Sequence, residues 1–536
     1  MAQSAVFGNR IIKLPGVYAR VVSGVETEIP LSTYSNVLLI DAGAGKGFNS
    51  AKGIVGYGRE CIYSLSQDQA NFYIKGGPLV PVLEKLWNPA VGAEGIGVLN
   101  MIKAATSQPA TIQGEISMFG GAITMSSVTT VEEGKICNTV KSEGDNPELK
   151  TGYILRSVWD SKLNKGYVEI IQGTYEGVNL GGFVIGQTEE NSHPQTIFRS
   201  KKCSTPKELA TSLSNSLDFK ALVIAKDIAY SGDGNTWTTK ENNEFEFEGG
   251  DDQYATSLVD ILPASTDVDY SVVLVCTDEE NGTTTKQQTM IEEVKAYFED
   301  ADKFIRQAVA YEEDKSLAIT QAQFYDSERV IVTSGICKKT SRNSPTGFIT
   351  QDNMVTAAVC LGRIFGLSPE IAGTMKTLNI DGMEVEPTST DLEDMLDNGV
   401  ISPYYDSDFG SYCLSQVCNS LQANTQLINP DCTTYSVQVM RILGQVIKNL
   451  QQQAKLDFWG GNKGVNKGTL SDAYVKEWTQ TLLDKLTVAP NKTENNYLLG
   501  YEVTKVETVD DTKRVYLAVT VNGEITKIFF LVTVLG

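Results

Sequence analysis

The chain closes with Arg514–Val521, RVYLAVTV, then Asn522-Gly523, then Ile525–Gly536, ITKIFFLVTVLG. Both runs are rich in β-branched and aromatic residues, and Asn-Gly between such runs favours a type I′ turn. The reading is a hairpin whose last strand is apolar, with Lys527 as its one charge. An uncovered apolar edge strand is a template for aggregation, so folded proteins cover or pair such edges. The cover here is either another part of the chain or another copy of it.

The front of the chain has a matching feature. Ile11–Val22 reads IIKLPGVYARVV. Pro15-Gly16 marks a turn or kink, and Val17–Val22 is a short β-prone run. Proline donates no ladder hydrogen bond and so sits at strand starts, edges and bulges. Two such ends suit β-augmentation, in which one molecule's arm adds a strand to a neighbour's sheet. An intramolecular sheet joining the two termini accounts for the same residues equally well.

The 536 residues are enough for about three or four domains by length. With 41% hydrophobic residues the chain can bury sizeable cores. The opening MAQSAVFGNR lacks the charged-then-apolar layout of a secretion signal, and no stretch approaches the ~20 apolar residues of a membrane span. A soluble protein made in the cytosol, without direct membrane insertion, is expected. The nine cysteines are scattered without a CxxC pair and read as reduced core residues rather than metal or redox groups. A net charge of −21 argues against nucleic acid as a partner, because such binding rests on Lys and Arg meeting phosphates. The one histidine, His193, lies in the turn-like Asn191–Pro194 and reads as solvated surface. No catalytic residue, cofactor site or metal site is expected.

Along the chain, Val37–Asp41 (VLLID) reads as a buried strand followed by the Gly-rich 42–50. Residues 130–250 are richer in strands and polar loops, with Ser231–Glu248 polar and turn-rich. From about 250, strand and helix signals alternate. Tyr254–Leu262, Thr285–Tyr297, Asp352–Phe365, Tyr435–Leu456 and Ser471–Leu486 read as helices. Ser271–Cys276, Ser316–Ile319 and Arg329–Thr333 read as strands. Such alternation argues for an α/β unit with a largely parallel sheet. Thr390–Glu393 fits a capping box opening a short helix that Asn398-Gly399 would close. Tyr497–Thr508, Arg514–Val521 and Ile525–Leu535 finish as an antiparallel meander.

Gly43–Gly47 (GAGKG) invites a nucleotide reading and fails it. The phosphate loop GxxxxGK[ST] would need Gly at Ile40 and a hydroxyl at Gly47, and the dinucleotide pattern GxGxxG meets Phe48 at its third glycine. The carboxylates of Glu246–Asp252 lack calcium-loop spacing and read as a solvated acidic loop. One stretch reverses the overall charge. Arg441, Lys448, Lys455, Lys463 and Lys467 face a single Asp457, either an ordinary solvated helix face or a surface for an acidic partner.

In order, these segments resemble the sheath proteins of contractile phage tails and injection machines. Leu14–Val21 (LPGVYARV) is similar to that family's PGVYV start, and Val37–Gly47 to its first core strand and Gly/Lys turn. The run from Thr346-Gly347-Phe348 to Gly366–Pro369 resembles its small-residue helix, and Thr390–Tyr404 (TDLEDMLDNGVISPY) its leucine–glycine motif. Tyr435–Ile447 resembles its arginine-bearing helix, and Ile528–Val534 its closing β arm. Ile401 stands where the family has Asn, and Cys413-Leu414 departs from the pattern after the Gly-rich turn, which marks a diverged member.

The resemblance implies an α/β (α+β), multidomain subunit. Its core would be formed by 25–50 with 315–520, and 51–314 would be an inserted outer part of mixed α/β and β-rich character, as one subdomain or two. Residues 1–24 and 521–536 would be extended β arms. It implies a structural role without enzymatic activity, in which homo-hexameric rings stack in a helical lattice around an inner tail tube and contract to drive it through a target envelope. Implied partners are further copies, the tube protein, and baseplate and tail terminator proteins. The implied location is the virion tail, assembled in the host cytoplasm. Leu14, Pro15, Gly16, Val17 and Tyr18, with Ile528, Phe529, Phe530, Leu531 and Val532, would be the inter-subunit arms. Arg441, Lys448 and Lys455 are candidate tube contacts. The competing readings are an α/β enzyme with its terminal hairpin buried, and another tail or baseplate component using the same arm exchange.

Overall fold

The computed structural model describes residues 5–7, 10–12, 35–42, 62–73, 79–104, 109–133, 138–140, 149–151, 153–172, 175–176, 195–220, 222–247, 255, 257–266, 268–277, 284–300, 306–340, 347–422, 436–459, 470–489, 497–509 and 512–522. Near the front, β1 (Ala5–Phe7) and β2 (Arg10–Ile12) form a small antiparallel pair.

The centre of the molecule is a seven-stranded sheet. Its strands are β3 (Asn36–Asp41), β4 (Ile62–Leu65), β5 (Val98–Lys103), β17 (Val272–Cys276), β18 (Gln307–Glu312), β19 (Val330–Ser334) and β23 (Val400–Ile401). They lie in the order β23-β19-β18-β17-β3-β5-β4. All neighbours are parallel except β4, which runs antiparallel to β5. The runs VLLI, VVLVC and VIVTS are buried at every position, as strands covered on both faces must be.

Side chains alternate across a strand, so each run feeds two cores. Val37, Leu39, Val272, Leu274, Val309 and Ile331 join one cluster with α2 (Leu79–Trp87) and α7 (Asn353–Gly366). Leu38, Ile40, Val273, Val275, Ala308 and Val332 join the other with α5 (Thr284–Asp300) and α6 (Lys315–Tyr325). The result is a three-layer α/β unit. The α2–α7 contact is close enough to need a bare backbone. A Cβ on Gly362 would stand 2.6 Å from the carbonyl oxygens of both Lys85 and Leu86.

Three local expectations are corrected, and one strand had not been expected. Ser316–Ile319 is not a strand but the start of α6. Asp314 caps it by accepting from Ser316 N at 2.7 Å and Leu317 N at 3.2 Å, and Ala318, Gln321, Ala322 and Tyr325 bury one helical face. The central strand β18, QAVAYE, carries no sequence signal as strong as its neighbours because polar residues end it. Tyr254–Leu262 is not a helix; the described part is turns leading to a 3₁₀ turn at Leu262–Ser265. The capping box of α8 (Ser389–Asp397) uses Thr388 and Asp391, two residues before the expected Thr390 and Glu393. Thr388 Oγ1 accepts from Asp391 N at 3.2 Å, and Asp391 Oδ2 accepts from Thr388 N at 2.9 Å. Gly399 does close this helix, at φ +73°, where a Cβ would meet Asn419 O at 2.5 Å.

Strands β4, β5, β17 and β18 fall inside 51–314 and yet belong to the central sheet. What stands apart from that sheet is about 109–247. There β6 (Pro109–Met118) and β7 (Ile123–Glu133) pair with each other, and β7 also pairs with β14 (Val223–Ile224) and β15 (Asp227–Tyr230). A second sheet orders β13 (Gln195–Arg199), β11 (Lys165–Gln172), β10 (Tyr153–Asp160) and β16 (Asn243–Glu246). Short strands β8 (Asn138–Val140), β9 (Leu149–Thr151) and β12 (Tyr175–Glu176) form a third.

The two larger sheets and α3 (Pro206–Asn215) share one core, which includes Met125, Leu155, Ile170, Phe198 and Leu209. Phe119, Trp159 and Trp237 meet edge to face at its rim, with centroids 4.7–6.3 Å apart. Glu169 is fully buried in this unit and is satisfied by Arg156 and Arg199. The Gly-rich 43–50, His193 and the acidic 248–252 lie outside the described residues.

Candidate assembly surface

The final described unit carries the first two strands of the expected antiparallel meander; the hairpin expected across Asn522-Gly523 lies outside the described residues. β26 (Leu498–Val509) and β27 (Thr512–Val521) pair antiparallel, with register shifts at Leu498/Gly500 and Val503/Lys505. One face packs on α9 (Val437–Ala454) and α10 (Asp472–Asp484), burying Val446, Leu483, Tyr497, Leu498 and Val503. Tyr501 fixes the hairpin to α10. Its hydroxyl reaches Gln480 O at 3.0 Å and Asp484 Oδ1 at 2.5 Å, and partial burial, then Asp484, push its pKa up to about 12. Asp472 accepts from Thr508 Oγ1 at 2.7 Å and pairs with Lys513, which together hold its carboxyl below the usual carboxylate range.

Among the described residues no third strand joins this sheet, and beyond the β26–β27 pairing only the isolated parallel bridge Thr487–Leu498 touches its edge. Leu499, Val515 and Tyr516 remain exposed. The segment after Asn522, including Ile528–Val532, lies outside the described residues, as do Leu14–Tyr18.

The three candidate tube cations have separate surroundings. Arg441 is buried. Its guanidinium donates to Leu367 O and lies 5.3 Å from the centre of the Phe365 ring, and burial lowers its pKa. It ties α9 to the end of α7 and is not a surface group. Lys448 pairs with Asp269 at 2.5 Å. Lys455, just beyond α9, is exposed.

A feature that motif reading passed over lies on α8 and the hairpin of β24 (Pro403–Asp406) and β25 (Ser411–Leu414). No Lys or Arg occurs between Lys376 and Arg441, and Asp381–Asp408 holds nine carboxylates. Counting charges over a long window would have found it. Lys315 offsets two of them, reaching Asp391 at 2.8 Å and Asp394 at 3.0 Å. In this acidic stretch of the fold Met375, Leu392, Glu393, Leu396, Tyr404 and Leu414 line a cavity of about 200 Å³, with Glu393 its one carboxylate. Met375, on its lining, and Tyr405 and Phe409 of the β24–β25 hairpin are each about half exposed.

The six described free cysteines are buried; burial pushes the Cys203 thiol up to about 11 and the Cys360 thiol higher still. No group of three or more His, Cys, Asp or Glu among the described residues is placed to hold a metal ion. No helix among them is long and apolar enough to cross a membrane.

No family model matches the sequence, and no curated protein matches it. Several solved structures are similar at low identity. A sheath tail protein from Listeria innocua is 12% identical, with a TM-score of 0.41 over 92% of this chain and 96% of that one. The helical sheath of the anti-feeding prophage in its contracted state is 10% identical, with a TM-score of 0.45 over 97% of this chain and 99% of that one. A chain of the baseplate of the same particle is 11% identical, with a TM-score of 0.35 over 49% of this chain and 68% of that one.

Proposed function

We propose that the chain is the structural subunit of a contractile sheath, polymerising as stacked hexameric rings around an inner tube and shortening to drive that tube forward. The observation that carries the reading is where the sheath-like motifs fall. Val37–Asp41 is β3, the first strand of the central sheet; Asn353–Gly366 is α7 against one face; 390–404 is α8 running into β23 and β24; and 437–447 opens α9. Motifs scattered over 400 residues of sequence thus gather on one α/β unit and its immediate flank. In sequence, Ile11–Val22 and Ile525–Gly536 are strand-prone and apolar.

In this reading no chemical step is needed. Copies are linked by their arms, 1–24 and 521–536, and the outer edges of β26 and β27 are where a neighbour's Ile528–Val532 adds a strand, gaining backbone hydrogen bonds and burying apolar side chains. The linked arms hold copies together while the rigid units slide, and the wider form gains lateral contacts. The tube, the baseplate and the terminator are the remaining partners.

Lys448 and Lys455 are the tube contacts in this scheme. Reversing both to Glu is expected to weaken co-assembly with the tube, and unchanged co-assembly would remove them from that role. Negative-stain microscopy of the purified chain tests the function itself. Striated hollow cylinders or rings are the expected image; compact single particles at all concentrations would overturn the proposal. Deleting Ile525–Gly536 should abolish polymers while leaving the circular dichroism spectrum intact.

A further inference from the structure

The unit of residues 109–247 has a base and a tip, and the tip is cationic. The chain leaves the central sheet at Ala104, whose N donates to Asp41 O at 2.8 Å, and rejoins it at Ala255, whose N donates to Ala42 O at 3.1 Å. Both connections therefore meet the end of one strand, β3. From there β6 and β7 run out as a long pair, with Pro109 opposite Glu133 at the base and Met118 opposite Ile123 at the far end. Ten residues of strand span about 30 Å. Val223 and Ile224 pair with Thr130 and Thr129 near the base, and Asp218 lies 4.0 Å from Lys339.

Four segments come together at the tip. Phe119, in the β6–β7 turn, donates its N to Asn243 Oδ1 at 3.2 Å and accepts from Thr239 N at 3.0 Å. Trp237 Nε1 donates to Ser204 O at 2.8 Å, and Gly166 and Cys203 exchange backbone hydrogen bonds of 3.1 and 2.9 Å. Over 159–167, 199–208 and 231–241 there are seven Lys or Arg against four carboxylates, the reverse of a chain whose net charge is −21. Three of those carboxylates are engaged inside the tip: Asp160 by Lys202 Nζ at 2.8 Å, Glu208 by Ser204 N at 2.9 Å, and Asp233 by Asn235 N at 3.0 Å. Lys162, Lys165, Lys201 and Lys207 have no ion-pair partner among the described residues. Lys240 Nζ bonds Asn164 Oδ1 at 2.8 Å and stands 5.1 Å from the centre of the Trp159 ring.

We propose that this tip is a binding surface for an anionic polysaccharide. Its charge calls for a polyanion. The acidic remainder of the chain would repel one, but the tip lies about 30 Å from the base, several Debye lengths of ~8 Å at physiological salt. The exposed groups then select the class of polyanion. Besides its lysines the tip shows Ser161, Asn164, Ser204, Asn235, Thr236 and Thr238, whose hydroxyls and amides suit sugar hydroxyls and carboxylates. Its exposed large apolar side chains are Leu163 and Tyr230. An acidic protein partner needs an apolar interface core, which two such side chains do not make. Single-stranded nucleic acid needs bare aromatic faces for stacking, whereas Lys240 lies over Trp159 and Trp237 packs on Phe119 and Trp159. The inference goes beyond the assembly reading and does not depend on it.

Isothermal titration of the full chain with oligogalacturonate at about 0.15 M salt tests the idea, beside neutral dextran, polyglutamate and oligothymidylate. Saturable binding of oligogalacturonate is expected, tighter than that of the other three and weakening as salt rises further. Lys162, Lys201 and Lys207 are exposed, so the combined Lys162→Ala, Lys201→Ala, Lys207→Ala variant should keep its circular dichroism spectrum. It should bind at least about tenfold more weakly. Lys455→Ala, at an exposed lysine of another unit, should bind within about twofold of the parent. Absence of saturable oligogalacturonate binding would overturn the proposal, as would an unchanged triple variant or an equal loss in Lys455→Ala. Equal or tighter binding of polyglutamate would assign the tip to an acidic protein instead, and of oligothymidylate to nucleic acid. Dextran binding as tight as oligogalacturonate would remove charge as the basis of recognition and the proposal with it.

Discussion

The central sheet and the C-terminal hairpin are both built from apolar strands, yet they settle their edges in opposite ways. In the sheet, β17 is buried at all five positions, has a parallel neighbour on each side, and feeds one core with Val272 and Leu274 and another with Val273 and Val275. In the hairpin, β26 runs for twelve residues of which only Leu498 and Val503 are buried. Among the described residues it has one strand partner and one packed face. Parallel strands are completed within the chain by helical crossovers, whereas a lone hairpin is marginal and gains from any strand added to it. The comparison separates what holds one copy together from what is available to hold copies to each other.

The sharpest way to break the comparison is to damage the first region alone. Gly362→Val places a side chain where α7 already touches the backbone of α2, with carbonyl oxygens 2.6 Å from the new Cβ. Neither helix can retreat, since both are clamped on the sheet. A loss of about 3 kcal/mol or more is expected, read as failed soluble expression or a collapsed urea midpoint. Next in size is Leu274→Ala, which empties a fully buried position of the same core and should cost about 2–5 kcal/mol by urea unfolding. The matching change in the hairpin, Leu499→Ala, removes an exposed side chain and should move stability by less than about 0.5 kcal/mol while weakening assembly. A large stability loss at Leu499 would erase the distinction.

How much of this was legible in the sequence follows from the same contrast. β3, β17 and β19 read as strands because burial on both faces leaves them no polar position. β18 was missed, since Gln307 and Glu312 bound it and its apolar run is short. The SLAI of 316–319 reads as a strand because four apolar-leaning residues do not distinguish a period of two from 3.6; the preceding Asp314, a helix cap, is the discriminating signal. Arg441 looked like surface because charge usually is, and only packing against Phe365 and Leu367 reveals it as internal. The acidic face went unseen because its mark is a missing residue type across a long window. The arm residues Leu14–Tyr18 and Ile528–Val532 lie outside the described residues, so their reading still stands on sequence alone.

A smaller effect sharpens the hairpin's side of the comparison. Tyr501→Phe removes the hydroxyl that bonds Gln480 and Asp484, costing about 1 kcal/mol in the docking of the hairpin on α10. Because the folded pKa of Tyr501 is raised, to about 12, its contribution is fully present below the ordinary tyrosine range near 10 and is lost as pH rises through the folded value. Amide exchange of β26 should therefore accelerate between about pH 10 and 12 in the parent beyond the intrinsic base-catalysed rate, and less so in Tyr501→Phe.

The acid side gives the smallest effect and the opposite sign. Lys513 and then Thr508 depress the pKa of Asp472 at the start of α10, so its contribution is present above the unfolded carboxylate value and fades as pH falls through the lower folded one. The pair is solvent-exposed and screened, so the change should be local: looser contact between α10 and the β26–β27 turn below about pH 4, with the central sheet unaffected. Asp472→Asn should make that contact indifferent to acid while sparing the melting temperature. If acid instead loosened the sheet and the hairpin together, the two regions would be one cooperative unit, and the division of labour between them would have to be abandoned.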